Sequence, residues 1–270
     1  MSDAAAAQFT GDIPRFYDEH LGPVIFVDYA ADLARRAATI AGSNVLEIAA
    51  GTGISTAALR AALPAGAHIT ATDLNPAMLD IASKKFSGGD GVEFRQADAM
   101  ALPFEDARFD LATIQFGVMF FPDRPAAYAQ IKRVLKPGGA LLFNVWGDMA
   151  ANPFAEIAHA TVAHHFPDNP PKFYQTPFGY ADAAQVRADL VRGGFGDVER
   201  EIVRFHKPVG DWRHFARGLV FGNPIISDIE AAGEVSPEDM VTAIADALQT
   251  RIGAAPAALP LEASVYLARA

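Results

Sequence analysis

The sequence predicts a doubly wound α/β fold, a mostly parallel sheet with helices on both faces. Three observations carry that expectation. Short apolar runs of strand length alternate with helical stretches over the first half of the chain. Seven such runs can be counted from end to end. The first closes in a bend rich in small residues, Ala49-Ala50-Gly51-Thr52-Gly53, and open sheets of this kind hold ligands beyond the carboxyl ends of their strands.

The elements follow in order. Ile13 to Ile40 places apolar residues at helical spacing, with Pro23 as an interruption. Asn44 to Ala49 is the first strand, and Ile54 to Leu63 is an Ala-rich helix stopped by Pro64 and Gly66. His68 to Thr72 is strand two. Pro76 then opens a helix to Lys85, in the first turn where a missing N–H costs nothing. Gly91 to Arg95 is strand three, and Phe109 to Gln115, strongly apolar and therefore central, is strand four. A helix from about Pro125 to Leu135 ends at Lys136-Pro137-Gly138-Gly139. That tetrapeptide fits a type II turn, because Pro presets φ and Gly accepts a positive one. Ala140 to Trp146 is strand five, Ala181 to Arg192 a helix, Val198 to Phe205 strand six and Leu259 to Ala268 the last strand.

Two segments stand outside the alternation: Gly147 to Tyr180, read as loop-rich, and Lys207 to Pro256, read as two helical stretches. Insertions at the carboxyl edge of such a sheet can cover its ligand crevice, so both are expected to form a substrate cap. The expected division is therefore 1–43, a helical segment; 44–146, a ligand-binding core; 147–180, a first cap insertion; 181–206, a core helix and strand six; 207–257, a helical cap insertion; and 258–270, the final strand.

Bulk properties narrow the function. The 270 residues are 51% hydrophobic, enough for one large core with a cap. Mean hydropathy is +0.13, but the most apolar stretches, Leu111 to Phe121 and Ala140 to Trp146, fall short of the roughly 20 residues a spanning helix needs. With 0 cysteines, disulfides, thiolate metal sites and cysteine nucleophiles are all excluded. No metal is expected. The N-terminus shows no basic-then-apolar signal, and a cytoplasmic location is the expectation. A net charge of −10 disfavours nucleic acid as a partner, and the basic spots Arg35-Arg36 and Lys132-Arg133-Lys136 read as solvated helix faces.

Three strand ends carry candidate chemistry. Small residues at Ala49, Gly51 and Gly53 let the backbone bend and let a ligand lie against it, although a tight strand-to-helix turn accounts for the same residues. Asp73, about 20 positions further on, is placed to accept from two ribose hydroxyls. Asn75 is better placed to cap the next helix, leaving Asp73 for the sugar. The ribose reading suits S-adenosylmethionine and NAD alike. Against a dinucleotide, Ile54 and Thr56 stand where a third glycine belongs, and Glu47 would repel a pyrophosphate while suiting an ammonium or tying down the amides of the bend. After strand three, Asp98 can accept from an adenine amino group and Ala99 N–H can donate to the ring; an ordinary strand-ending turn is the plain alternative.

Together the segments VLEIAAGTG, ITATDLNPAMLDIA, QADAMALPFEDARFD and RVLKPGG resemble class I S-adenosylmethionine-dependent methyltransferases. The likeness, over about Val45 to Trp146, is to the branch similar to ubiquinone- and menaquinone-biosynthesis methyltransferases acting on small molecules. The resemblance implies a Rossmann-like seven-stranded sheet with its last strand antiparallel. It also implies that Ala49, Gly51 and Gly53 line the methionine portion while Glu47 supports the loop. By the same likeness Asp73 holds the ribose, with Leu74 and Met78 beside the adenosine, and Asp98 and Ala99 bind adenine. Gln115 and Phe116 would face the amino-acid group through their carbonyls, and Tyr17 would close over the cofactor. Two departures are Glu47, where the family commonly has Asp, and Ala49, where it commonly has Gly.

The activity so implied is methyl transfer to a small-molecule acceptor by in-line displacement, for which positioning supplies most of the rate. A base is needed only for a hydroxyl or protonated amine. His20, His164, His165 and His214 are candidates, each equally readable as a packing or surface histidine, so no catalytic residue is assigned. Phe154, Phe166, Phe173, Tyr174, Phe178, Tyr180, Trp212, Phe215 and Phe221 would suit an apolar or aromatic acceptor, or simply form the cap's own core. Gln115-Phe116-Gly117-Val118 departs from the motif for amino methylation of DNA bases. A nicotinamide-dependent oxidoreductase and a binding module without turnover remain as alternatives. Acceptor atom and oligomeric state are not encoded legibly.

Overall fold

The structure, a computed structural model, describes residues 8–40 and 42–270; the Ala-rich start of the N-terminal segment lies outside them. Seven strands form one sheet: β1 (Asn44–Ile48), β2 (His68–Asp73), β3 (Val92–Gln96), β4 (Phe109–Gln115), β5 (Leu135–Trp146), β6 (Asp197–Val209) and β7 (Ala257–Arg269), in the order β3-β2-β1-β4-β5-β7-β6. The first five pair in parallel, and β7 lies antiparallel between β5 and β6. The doubly wound sheet with its antiparallel last strand is thus as the sequence predicts. Strand order reverses between β1 and β4, which locates the ligand crevice of such a sheet.

Helices flank it: α1 (Ile13–Phe16), α2 (Val27–Ala37), α3 (Ile54–Ala62), α4 (Pro76–Ser83), α5 (Arg124–Val134), α6 (Pro153–His165), α7 (Gln175–Phe178), α8 (Ala183–Arg192), α9 (Trp212–Phe221), α10 (Ile225–Ala232) and α11 (Pro237–Ile252). The central strands carry the core, with Leu46, Ala112, Ile114, Leu141 and Phe143 fully buried. β6 is the outer strand, and its exposed Glu199, Arg200 and Glu201 keep the edge charged, which discourages pairing with a second sheet.

Four expectations need correction. Pro23 does not interrupt the N-terminal helix: Tyr17–Phe26 is wound as a π-helix, continuous with α1 and α2. Proline forgoes its N–H bond in either helix, but the wider turn relieves the clash of its ring with the carbonyl four residues back. Strand five starts at Leu135. Leu135 pairs with Phe109 and Ala140 with Leu111, so Lys136-Pro137-Gly138-Gly139 bulges out opposite Asp110, with Gly138 at φ +79° as a type II turn requires. The segment 147–180 is not chiefly loop, because α6 runs 13 residues through it from Pro153 in the first turn. Finally, 207–256 holds three helices rather than two, and its first residues extend β6 to Val209, opposite Ala257 of β7.

Candidate functional site

The tips of β1, β2 and β3 are knitted together by backbone bonds, Ala50 N–H to Thr72 O at 2.9 Å and Ala97 N–H to Asp73 O at 3.1 Å. Between these tips and that of β4 opens a cavity of about 780 Å³, counting the space open to solvent at its mouth. Ten of the twelve sequence-predicted residues line it: Tyr17, Ala49, Gly51, Asp73, Leu74, Met78, Asp98, Ala99, Gln115 and Phe116. Glu47 and Gly53 do not.

The backbone at this edge is strained where it meets the cavity. Ala49 at φ +55° and Phe116 at φ +51° adopt the left-handed conformation that side chains disfavour. Phe116 is held there by its N–H, which donates to Asn144 Oδ1 at 2.9 Å, and by stacking on Trp146 with ring centres 3.9 Å apart. Gly117 is forced by closeness, since a Cβ would stand 2.6 Å from that of Ala49. Gly51, at φ +56°, differs: a Cβ there would meet no protein atom within 4 Å and would project into open space. A Cβ at Gly53 would stand 2.9 Å from that of Ala82, so Gly53 serves the packing of α3 on α4.

Asp73 takes on the bracing expected of Glu47. Asp73 is buried, with Oδ2 accepting from Gly51 N–H at 2.9 Å and Oδ1 from Asn75 N–H at 2.8 Å. Asp73 therefore braces the bend as well as facing the cavity. Burial raises its pKa, and those N–H groups oppose the rise. Glu47, expected to tie down the loop, contacts no amide: its buried carboxyl has the Ser55 and Thr56 hydroxyls for neighbours, neither of them in hydrogen-bond geometry. Burial pushes its carboxyl up to about 7, against the weaker pull of the Thr56 and Ser55 hydroxyls.

The remaining wall is mixed. Asp98 is exposed at the lip, where Oδ1 accepts from Met100 N–H at 2.9 Å. Leu74 is 51% exposed there, an apolar surface ready for a ring. Tyr17 stacks on Phe26 at 4.7 Å and meets Phe9 edge-on at 5.8 Å; burial and the nearby Asp73 charge push its phenol upward, so it stays protonated. Gln115 Nε2 donates to Phe26 O at 3.4 Å while its buried Oε1 has no partner.

A second, more apolar cavity adjoins the first, and Phe9, Tyr17, Phe116 and Phe120 line both. Its further walls are Trp146 and, from the cap, Phe154, Phe173, Tyr174, Phe178 and Asn223. None of the four histidines considered lines either cavity. His20 and His214 instead face each other, ring centres 4.1 Å apart, between the π-helical segment and α9. Sequence reasoning missed Phe9, Phe120, Phe121 and Pro122. For the last three the signal was the apolar run after strand four, whose direction a period alone does not reveal; Phe9, ahead of the first helix, carries no such signal.

This geometry defines a Rossmann-like fold of the class I methyltransferase type. Residues 46–143 match the family described as "Methyltransferase domain", the stretch in which the four motifs lie, Val45 apart. A demethylmenaquinone methyltransferase of Clavibacter sepedonicus is 44% identical over 108 residues, covering 40% of this chain and 43% of that one. The chain thus matches less than half the length of its curated relatives. Among solved structures, the YcgJ protein from Bacillus subtilis superposes with a TM-score of 0.57 at 19% identity, covering 90% of this chain and 98% of that one. A phosphoethanolamine N-methyltransferase of Haemonchus contortus, in complex with phosphomonomethylethanolamine and S-adenosylhomocysteine, gives 0.55 at 20% identity, over 90% of this chain and 52% of that one. Among the described residues no helix is long and apolar enough to cross a membrane.

Proposed function

We propose that this chain transfers a methyl group from S-adenosylmethionine to a small-molecule acceptor, in-line, with the cofactor in the first cavity and the acceptor in the second. One observation carries the reading: Gly51, Asp73 and Asp98, from three strand ends, line one cavity that shares a wall with an aromatic one. The residues present fit the cofactor. The space beside Gly51 is a cradle that a Cβ would fill, and Asp73 Oδ2 keeps a lone pair beyond the Gly51 N–H it accepts, while Oδ1 already accepts from the Asn75 N–H and, at 3.4 Å, from Asn75 Nδ2.

The bound cofactor supplies an electrophilic methyl on a positively charged sulfur. The chain's own part is orientation. Asp73 accepts from the ribose hydroxyls, and Leu74 and Met78 pack on the adenosine. Asp98 and the Ala99 N–H read the adenine edge, Ala49 and Gly51 admit the methionine portion, and Gln115 and Phe116 present carbonyls to its amino group. Tyr17 and Phe116, on the shared wall, hold the acceptor against the methyl and exclude water. Gly53 serves this arrangement through packing, and Glu47 through an unpaired carboxyl behind the bend. An apolar or aromatic acceptor fits the second cavity, and a cytoplasmic setting fits the absence of cysteine. The segments 147–180 and 207–257, with the N-terminal helices, act in this reading as the cap on a core of 44–146.

Calorimetric titration with S-adenosylmethionine and with NADH tests the reading. Binding of the first alone, with S-adenosylhomocysteine released when an acceptor is supplied, is the expected result. Binding of NADH alone would replace it with the oxidoreductase reading. Tight cofactor binding with no product from any acceptor would leave a binding module.

A further inference from the structure

Beside the two cavities lies a third space, an open groove of about 870 Å³ by the same measure, lined by Phe120, Phe121, Arg124, Lys172 and Phe173 among others. Phe120 walls all three spaces, Phe121 is shared with the cofactor cavity and Phe173 with the apolar one. The groove is therefore the rim at which an occupant of the apolar cavity would emerge.

Two cations, Arg124 and Lys172, line it. In a protein of net charge −10, neither has a carboxylate within ion-pair distance among the described residues, so the groove's positive charge is not neutralised from within. Arg124 is also held in place. Its Nη2 donates to Met119 O at 3.0 Å, its Nε points to Val118 O at 3.3 Å, and its guanidinium lies 4.2 Å over the Tyr180 ring. Among the described residues neither Nη1 hydrogen meets an acceptor. The adjacent Asp123 is turned away, accepting from Ala126 N–H as the cap of α5. A fixed guanidinium with spare donors, sharing a groove with a lysine, is an arrangement that suits an oxyanion.

We propose that the groove is an anion subsite, and that the acceptor is an apolar body bearing a carboxylate or phosphate held between Arg124 and Lys172. The assignment deepens the methyl-transfer reading and rests on it for calling that occupant the acceptor. Phe120 and Phe173 would grip the body as it passes into the apolar cavity, so the anion sets how deep the reacting atom sits.

The probes are phenylalkanoates from phenylacetate to phenylhexanoate, the matching primary amides and the matching phenylalkyl phosphates. Each is titrated calorimetrically into the full chain with and without S-adenosylhomocysteine. At one chain length an anion should outbind its amide by about tenfold or more, a ratio one charge-assisted contact supplies. The better of the two anion arms identifies the group. In Arg124→Gln/Lys172→Gln the preference should shrink to about twofold or less, the range of a diffuse surface field. Lys172→Gln alone, at an exposed position, should lower it by about threefold and keeps the test open if the Arg124 variant fails to fold. Equal affinity of anion and amide at every length, an undiminished preference in the variants, or no binding by any member would each overturn the subsite. Failure of S-adenosylhomocysteine to bind, with the anion preference intact, would instead remove only the methyl-transfer reading.

Discussion

At the tip of β2 the Asp73 carboxylate is gripped from two sides, by Gly51 N–H at 2.9 Å and Asn75 N–H at 2.8 Å. A ligand hydroxyl donating to either oxygen meets an acceptor already fixed in direction, so little ordering remains to be done on binding. Asp73→Ala should weaken cofactor binding by about 2–4 kcal/mol, since hydrogen bonds to a charged acceptor run about 1.5–3 each. An unchanged dissociation constant in calorimetry would contradict the assignment. The two glycines of the bend separate binding from packing. Gly51→Ala places a methyl in open cavity, and should cut cofactor affinity by about tenfold or more, for about 1–2 kcal/mol of backbone strain at positive φ. Gly53→Ala drives a methyl toward Ala82 and should lower the urea midpoint most, leaving the affinity of the folded fraction near wild type.

Glu47 gives a pH signature. Its carboxyl titrates near 7 in the fold against an ordinary 4.5. Between those values the unfolded chain has lost the proton while the folded chain keeps it, so this group's contribution to stability falls as pH rises from 4.5 through 7. Glu47→Gln removes that dependence. Relative to wild type without ligand, it should gain about 2–3 kcal/mol between pH 5 and pH 8, because each tenfold difference in proton affinity between the folded and unfolded chains is worth about 1.4 kcal/mol. Urea unfolding at both pH values reads the difference, and parallel pH profiles for the two proteins would show that Glu47 is paired.

Among elements, the central parallel strands β1 and β4 were legible because they bury on both faces and read as nearly unbroken apolar runs, while β3, at the edge, alternates. Besides the third helix of 207–256, three elements were not. The start of β5 is disguised by Pro137, Gly138 and Gly139, which bulge from a ladder that nonetheless begins at Leu135. Helix α6 buries Phe154, Ala155, Ile157, Ala158 and Val162 and carries small residues elsewhere, so its faces contrast too little for the helical period to stand out. The π-helical turns around Pro23 have no sequence signature separate from a proline break. The candidate site divides the same way. Gly51, Asp73 and Asp98 follow strands directly, and their positions come with the topology; Phe9, Phe120 and Pro122 arrive from connections whose path depends on packing. Elements are also fastened by single buried groups. Asp189 of α8, 2% exposed, accepts from Tyr180 Oη at 2.8 Å and from Gln185 Nε2 at 2.8 Å. Asp189→Ala strands those donors and should cost about 2–4 kcal/mol of stability; a loss below about 0.5 kcal/mol, the range of neutral surface changes, would show that α8 is held otherwise.

Across the whole molecule, the cavity floor and its cover have different origins. The floor is the reversal of strand order between β1 and β4, rigid because those strands are the most buried in the sheet. In the proposed reading the cover is the N-terminal segment, which packs on α9 through Phe16 against Phe221 and His20 against His214 and is fastened to the sheet side by a few specific contacts. Lys85 of the α4 connection pairs with Asp18 at 2.5 Å, Gly22 packs on Ile54, and Tyr17 reaches over the cavity to Phe26 and Phe9. Such a cover opens at less free energy than the sheet, because it can separate without breaking a strand ladder. S-adenosylhomocysteine would touch both floor and cover, and binding only the closed state, it should shift that local opening by its full binding free energy, about 2.7 kcal/mol at a hundredfold excess over Kd. Amide hydrogen exchange should therefore slow by about 100-fold for residues 13–26 on adding the ligand, as that free energy implies. The β6–β7 pair, remote from the cavity, should change little. Protection confined to the bends after β1 and β2, with 13–26 unchanged, would mean that Tyr17 only borders the ligand and that the N-terminal segment does not close on it.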